Sequence, residues 1–499
     1  MKNIRTKAPI FENSKSGPGG GFAIVKRYWE QFEFSLLYMQ MDKHSGPTSW
    51  QLLFAYVCGL LSGSMSVNGI SRLLEKSPML RVILNVKSIS QCAFSRFASR
   101  SADWKLLSNQ RLHKILHDPR MELVSGDVIA IDDTKLAHPH GKNMPFLCWL
   151  FDSSDKVNVW CMNLVTTLAV RANGLEFPLS WRFWRKSNPE SHETHPSKLE
   201  LAQDMLLELR NAQPDVHIWV AMDRWFLCKG FFTWLENRNF DWVTKAKSNT
   251  ALYQLSEYDR NGKPRYRPVN ARMLLLQYAN LFVGKRKDRL AIAIPNIFMK
   301  MPVDVVNRKG KTVKKQEMVK IAAVAICQLP EDVEERESLA DKKDKPLLRG
   351  THLIISNRHD SPLEAVSSYV KRWRIEVFYR AAKQDLGLTA CRAETEQAHF
   401  MHIEMLFVAE TLLRLAMKEY QDSGGQEKGD EDILTHGQVI QGLVIANVWV
   451  ELATPATKRL VHTKFDTSSD RFSRFISQIW PEFIELAPWS DWNKLPATA

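Results

Sequence analysis

Apolar residues recur at helical spacing from Ile24 to about His117 in several short segments, with breaks at Gly46-Pro47, Gly63 to Ser66, Ser77-Pro78 and Val86 to Ser88. This pattern predicts a region of short N-terminal helices. Within it, Val67 to Leu74 and the Ser-rich, basic segment Ser88 to Arg100 read as neighbouring helices, compatible with a helix-turn-helix-like DNA reader or with a plain helical bundle. At Gly126 the texture changes. Val128-Ile-Ala-Ile-Asp-Asp-Thr is a short apolar run ending in two carboxylates, and Val159 to Val170 and Phe177 to Trp181 supply further strand-like stretches. A helix over Ser197 to Leu209 follows. Then His217-Ile-Trp-Val-Ala-Met-Asp223 repeats the theme of an apolar strand closed by an Asp, and Phe240 to Lys247 adds another strand after an intervening helix. Strands alternating with helices predict an α/β core.

From about 248 to 350 the chain differs again, with Pro, Gly, strand-like pieces at Leu290 to Ile297 and Val319 to Gln328, and dense positive charge. Between Lys285 and Lys320, in a stretch opening Lys285-Arg286-Lys287, eleven Lys/Arg face Asp288, Asp304 and Glu317, a local net of 11 − 3 = +8. A strand resumes at Thr351 and a long helix starts at Ser361. The tail predicts helices near Gln397 to Tyr420 and His436 to Ala453, separated by an acidic loop from Asp422 to Asp432. Residues 1 to about 22 carry no periodic apolar pattern and read as an arm. The expected organisation is a helical DNA-binding region over 1–125, a core split into 126–247 and 351–395, a basic β-rich insertion over 248–350, and a helical C-terminal region over 396–499.

Composition narrows the class. Of 499 residues, 44% are hydrophobic and 25% charged, which excludes disorder, collagen and coiled coil as whole-chain descriptions and is ample for a sizeable core. The seven cysteines include no Cys-x-x-Cys pair, which argues against a disulfide framework or a structural zinc site and for reduced thiols. No apolar run approaches the roughly 18 to 20 residues of a membrane span, since Leu52 to Leu61 is interrupted by Tyr56 and Gly59. The Lys-rich start lacks the apolar segment of a secretory signal, so a soluble intracellular protein is expected. A formal charge of +13, from 68 Lys+Arg against 55 Asp+Glu, favours a polyanionic partner, with nucleic acid the leading candidate and a basic but inert surface the alternative.

The helix after Ser361 carries the densest chemistry. Ser361-Pro362-Leu363-Glu364 predicts a capping box with Pro at the first helical position. At about 100° per residue, Tyr369, Arg372, Glu376 and Lys383 fall within an arc of roughly 60°. That face presents a phenol, two cations and one carboxylate, either as a solvated stripe or as a site for metal and phosphate together. Two Asp at strand ends and a Glu on a helix can supply a carboxylate cluster for two hard divalent ions, the arrangement that phosphodiester cleavage uses. Taken singly, Asp132 or Asp223 also reads as a cap or turn residue. His138-Pro-His140 and His192-Glu-Thr-His195 lack a catalytic zinc spacing and read as solvated loop histidines.

The run Tyr369-Val-Lys-Arg372-Trp373-Arg374-Ile-Glu376-Val-Phe-Tyr-Arg-Ala-Ala-Lys383 matches Y-x2-R-x3-E-x6-K and resembles the signature of cut-and-paste insertion-sequence transposases with a DDE active site. Ile131-Asp132-Asp133-Thr134 is similar to the first Asp motif of that family and Val220-Ala-Met-Asp223-Arg224 to the second. The gaps, 223 − 132 = 91 and 376 − 223 = 153, are similar to those of members with a β-rich insertion before the catalytic Glu. The resemblance covers about 126 to 390. It implies an RNase H-like fold, with Asp132, Asp223 and Glu376 holding two Mg²⁺ or Mn²⁺ ions. Asp133 competes with Asp132, which is preferred for its place two residues before Thr134. Tyr369, Arg372 and Lys383 would contact phosphate near the transposon end. Trp373 would stack on a displaced base or else sit in the core, and Arg374, Lys245, Lys247, Lys285, Arg286 and Lys287 would join the DNA contacts. After Asp223-Arg224 the chain departs from the family with Trp225-Phe226-Leu227, where related enzymes often carry a small or acidic residue. The implied activity is metal-dependent cleavage and transfer of DNA strands at terminal inverted repeats, by a homodimer in a cytoplasmic, nucleoid-associated bacterial setting. A domesticated DNA-binding descendant and an RNase H-like nuclease without strand transfer are the alternatives.

Overall fold

The run Val128 to Ile131 opens β1 (Val128–Ala137), and its side chains are buried because both faces of the strand are covered. In this computed structural model residues 22–278 are described apart from 44, 153–154 and 188–192, followed by 291–306, 312–327, 350–422 and short pieces at 436–437, 439–440, 447–452 and 459–464. The strands β2 (Cys148–Asp152), β3 (Val157–Val170) and β4 (Glu176–Trp184) run antiparallel in succession on one side of β1, with β2 and β4 both paired to β3. On the other side β5 (Ile218–Met222) and β6 (Phe240–Lys245) are parallel to β1 and to each other, and β5 is buried throughout. Among the described residues these strands belong to one sheet of twelve, which runs in the order β2-β3-β1-β5-β6, with β4 off this path on β3, and continues beyond β6 into later strands of the chain. Its core half is a mixed α/β arrangement compatible with an RNase H-like domain. The crossover before β5 contains α8 (Lys198–Ala212), started by a capping box in which Ser197 and Glu200 satisfy each other's backbone N–H groups, and α9 (Lys229–Glu236) precedes β6.

Among the described residues seven α-helices precede the sheet: α1 (Phe22–Gln31), α2 (Phe34–Tyr38), α3 (Ser49–Leu61), α4 (Val67–Lys76), α5 (Pro78–Leu84), α6 (Gln91–Ala98) and α7 (Trp104–Leu116). Ser66, Ser77, Ser90 and Asp103 cap four of them by accepting from backbone N–H groups. The expected pair of neighbouring helices needs correction: Pro78 starts α5 between α4 and α6, so the two are not consecutive.

The insertion supplies β7 (Ala251–Tyr258), β8 (Pro264–Asn270), α10 (Ala271–Gln277), β9 (Ala291–Ala293), β10 (Ile297–Val306) and β11 (Thr312–Cys327). The strand β11 pairs with β10 along its first part, then with β12 (Thr351–Ser356) from Ala322 to Cys327. Because β12 also pairs with β6, the insertion continues the core sheet.

Two helices follow, α11 (Pro362–Lys371) and α12 (Trp373–Gln384), and then the 27-residue α13 (Glu396–Asp422). The capping box expected at Ser361 does not form. Pro362 does open the helix, but Ser361 makes no side-chain cap and Glu364 lies 3.9 Å from Arg358 instead. The helix expected over His436 to Ala453 is also corrected, since Asn447–Leu452 is a strand, β13, paired antiparallel with β14 (Arg459–Lys464). Its Val-x-Val alternation suits a strand better than a helix.

α13 lies against β4, α3 and α7 and joins the N-terminal helices to the sheet. At that junction Arg111 on α7 and Glu404 on α13 form a fully buried ion pair, Nε to Oε1 2.7 Å. Trp181 of β4 donates to Glu404 at 2.9 Å, and Arg111 donates to the Leu179 carbonyl at 2.6 Å. Among the described residues no helix is long and apolar enough to cross a membrane.

Candidate active site

Asp132 and Asp133 are adjacent on a strand and therefore point to opposite faces of the sheet. The Asp133 carboxylate accepts from Lys198 Nζ at 2.7 Å and from Asn163 at 2.7 Å, which commits it to the face that carries α8. Asp132 turns to the other face, where its Oδ2 meets Arg372 at 3.0 Å. Tyr379 on α12 is buried; its hydroxyl donates to the Asp132 main-chain oxygen at 2.9 Å and lies 2.6 Å from Thr166 Oγ1. Thr166 is the register partner of Asp132 on β3. Burial pushes the Asp132 carboxyl up to about 7, with Arg372 pulling the other way and Asp133 and Asp223 adding to the rise.

Asp223 follows the last residue of β5. Parallel pairing of Ile131 with Met222 puts the residues after them, Asp132 and Asp223, side by side; Asp223 lies just past the end of β5, but Asp132, expected at a strand end, sits midway along β1. Asp223 caps the short 3₁₀ turn Arg224–Phe226 by accepting from the Trp225 N–H at 3.4 Å. Trp225 is half exposed, its ring over Lys198 at 5.1 Å and against buried Phe226 at 5.1 Å. Lys198 thus touches both Asp133 and the turn that follows Asp223.

The expected single helix is divided at Arg372. There the ladder tightens to three-residue bonds, Arg372 N–H to the Tyr369 carbonyl at 3.0 Å and Ile375 N–H to the Arg372 carbonyl at 3.1 Å. Arg372 still reaches Glu376 one turn on, Nη2 to Oε1 2.5 Å, so its fork bridges Asp132 and Glu376. Its guanidinium also lies 5.8 Å from the Tyr369 ring centroid, and its Nε is buried without a hydrogen-bond partner. Burial raises the Tyr369 phenol above its ordinary range. The guanidinium is raised as well: burial opposes this, but Tyr369, Asp132 and Glu376 outweigh it.

The other expected residues scatter. Trp373 is 50% exposed, which excludes the core alternative for it. Arg374 turns to β4 and pairs with Glu176, whose second oxygen is 4.0 Å from Arg414. Lys383 is exposed by surface area near the far end of α12; partial desolvation by the protein around its ammonium and the nearby charge of Lys135 lower its pKa. Lys245 Nζ lies 3.1 Å from His352 Nε2 within the sheet, and Lys247 is exposed beyond it. Lys285, Arg286 and Lys287 lie outside the described residues. So does His192, while His138 is buried rather than solvated. Among the described residues no three His, Cys, Asp or Glu side chains close into a metal-holding group. Sequence reasoning misses Lys198, Tyr379 and Thr166. Only Tyr379 has a local signal, its position three residues after Glu376 on the same helix face.

The structure therefore brings together Asp132, Asp223, Tyr369, Arg372 and Glu376. Residues 126–412 match the transposase DDE domain, more than half of the chain. No curated protein matches the chain. With acidic residues on two neighbouring strands, one within β1 and one just past β5, and a third on the helix packed against β1, and with this match spanning all of them, the chain belongs to the family of transposases with a DDE domain.

Proposed function

We propose that the protein is a cut-and-paste DNA transposase that binds terminal inverted repeats, cleaves DNA strands at the element ends and joins them to target DNA. The observation that carries this reading is the bridging of Asp132 and Glu376 by one guanidinium, with Asp223 on the strand beside Asp132. Asp132, Asp223 and Glu376 offer only hard oxygen donors, which suits Mg²⁺ or Mn²⁺, and they would hold two such ions. When bound, such ions activate the attacking oxygen and stabilise the leaving one. The chain's own part is placement. Tyr379 and Thr166 fix the backbone under Asp132, the 3₁₀ turn fixes Asp223, and Arg372, Tyr369 and Lys383 offer donors to backbone phosphate. Trp373 is a platform for an unpaired base. Lys245, Lys247 and the basic stretch from Lys285 extend the phosphate track, and two copies act together on paired ends.

Incubation with Mg²⁺ and a DNA carrying the element's ends tests the reading. Cleaved and transferred strands should appear with the unaltered protein, should fall by about a hundredfold to a thousandfold with Glu376→Gln, and should persist with Asp133→Asn, whose carboxylate serves Lys198. Cleavage that survives Glu376→Gln would remove that residue from the site. Cleavage without joining would favour a nuclease, and binding alone a DNA-binding descendant.

A further inference from the structure

Arg372 occupies an unusual position for a residue expected to touch phosphate. Each of its two terminal nitrogens donates to a carboxylate, Asp132 at 3.0 Å and Glu376 at 2.5 Å, while its third nitrogen, Nε, is buried without a hydrogen-bond partner. The guanidinium side chain is only 11% exposed, yet the Glu376 side chain keeps 33% of its surface open, so an ion from solvent can reach the carboxylate that Arg372 holds. The backbone at Arg372 is a tight three-residue turn between two helices, the kind of joint from which a side chain can be redirected without unwinding either one. A fork that shares itself between two acids also does electrostatically what a divalent cation would do: it neutralises close like charges that would otherwise repel.

We propose that Arg372 is a stand-in cation. It holds Asp132 and Glu376 together in the metal-free protein, yields both carboxylates when a divalent ion is bound, and turns the freed fork, with its unpartnered Nε, to a DNA phosphate. This rests on the reading that the carboxylates hold metal. It makes metal and DNA competitors of the same ion pairs, the metal for the acids and the phosphate for the guanidinium. Each ligand removes the partner that the other must displace, so each tightens the other, and by linkage to the same factor.

Calorimetric titration of the full chain with Mn²⁺, with and without a short DNA duplex and corrected for Mn²⁺ taken up by the duplex alone, tests this. With the unaltered protein the duplex should tighten Mn²⁺ binding by about tenfold. Arg372→Gln should bind Mn²⁺ about tenfold more tightly than the unaltered protein without DNA, and the duplex should then add nothing. Arg372→Lys keeps the charge but cannot bridge as a fork, and should also bind Mn²⁺ more tightly than the unaltered protein. Cooperative thermal unfolding, with a midpoint raised by Mn²⁺, verifies that each variant is folded. Mn²⁺ affinity unchanged in both variants, or duplex tightening that persists in Arg372→Gln, overturns the stand-in role while leaving the metal reading intact. Binding of Mn²⁺ that is indifferent to Asp132→Asn and Glu376→Gln overturns both.

Discussion

His436 shows how one protonated side chain can fasten a distant piece of chain. Its Nε2 lies 2.6 Å from Glu410 and its Nδ1 3.1 Å from Asp385, joining the tail to α13 and to the end of α12. Burial alone would lower the imidazole, but Glu410 and Asp385 outweigh both burial and Arg414, and its pKa is raised above 6.5. Glu410 would be raised by burial, yet His436 and Arg414 hold it at about 2. The histidine's contribution is complete below its unfolded value of 6.5 and is lost as pH rises through the higher folded value. The contribution of Glu410 is complete above 4.5 and is lost as pH falls toward about 2. The clasp is therefore strongest between these limits. Thermal unfolding of His436→Gln against the unaltered protein should show a loss of about 3 kcal/mol at pH 5.5 that shrinks by pH 9; an equal loss at both would refute the clasp. At this scale the sequence is readable where chemistry is local. Asp132 and Asp223 announce themselves as acids ending apolar runs, and Glu376 as part of a spaced set. The pairing of Arg374 with Glu176 is not legible, because its partner is 198 positions away and lies on β4. Lys198 is invisible for the same reason.

Among elements, strands and helices of the core are legible because burial on both faces leaves unbroken apolar runs, as in β1 and β5. The division at Arg372 is not, since every residue across it has ordinary helix propensity and the tightening comes from tertiary contacts. The union of α7, α13 and β4 is equally hidden. Nothing local in the sequence marks Arg111 and Glu404 as partners, and both are fully buried. Removing one partner leaves the other charged and unpaired in the interior. Arg111→Ala should cost about 3–5 kcal/mol in denaturant unfolding, whereas Arg111→Met combined with Glu404→Leu should recover much of that loss. A double variant no better than the single one would show that the hydrogen bonds from Trp181 and to Leu179, rather than the charge pairing, carry the junction.

For the molecule as a whole, the excess charge read from the sequence gains a partial address. Lys300, Lys314 and Lys320 are exposed on the β10–β11 hairpin, which is joined through β12 to the strands that end at the site. If this hairpin follows DNA, replacing these three lysines by Gln should weaken binding and reduce the slope of log affinity against log salt by about one for each phosphate that is no longer neutralised. A slope that stays the same would separate the hairpin from the DNA path.

The Arg372–Asp132 bond joins residues 240 positions apart. During synthesis Asp132 and Asp223 are made first, and 376 − 223 = 153 further residues must follow before Glu376 exists. At about 5–20 residues per second that is a delay of roughly 8–30 s. For that time the growing chain carries two acids without the helix that unites them. The three acids of the candidate site are thus united only after the whole of the long insertion has been made.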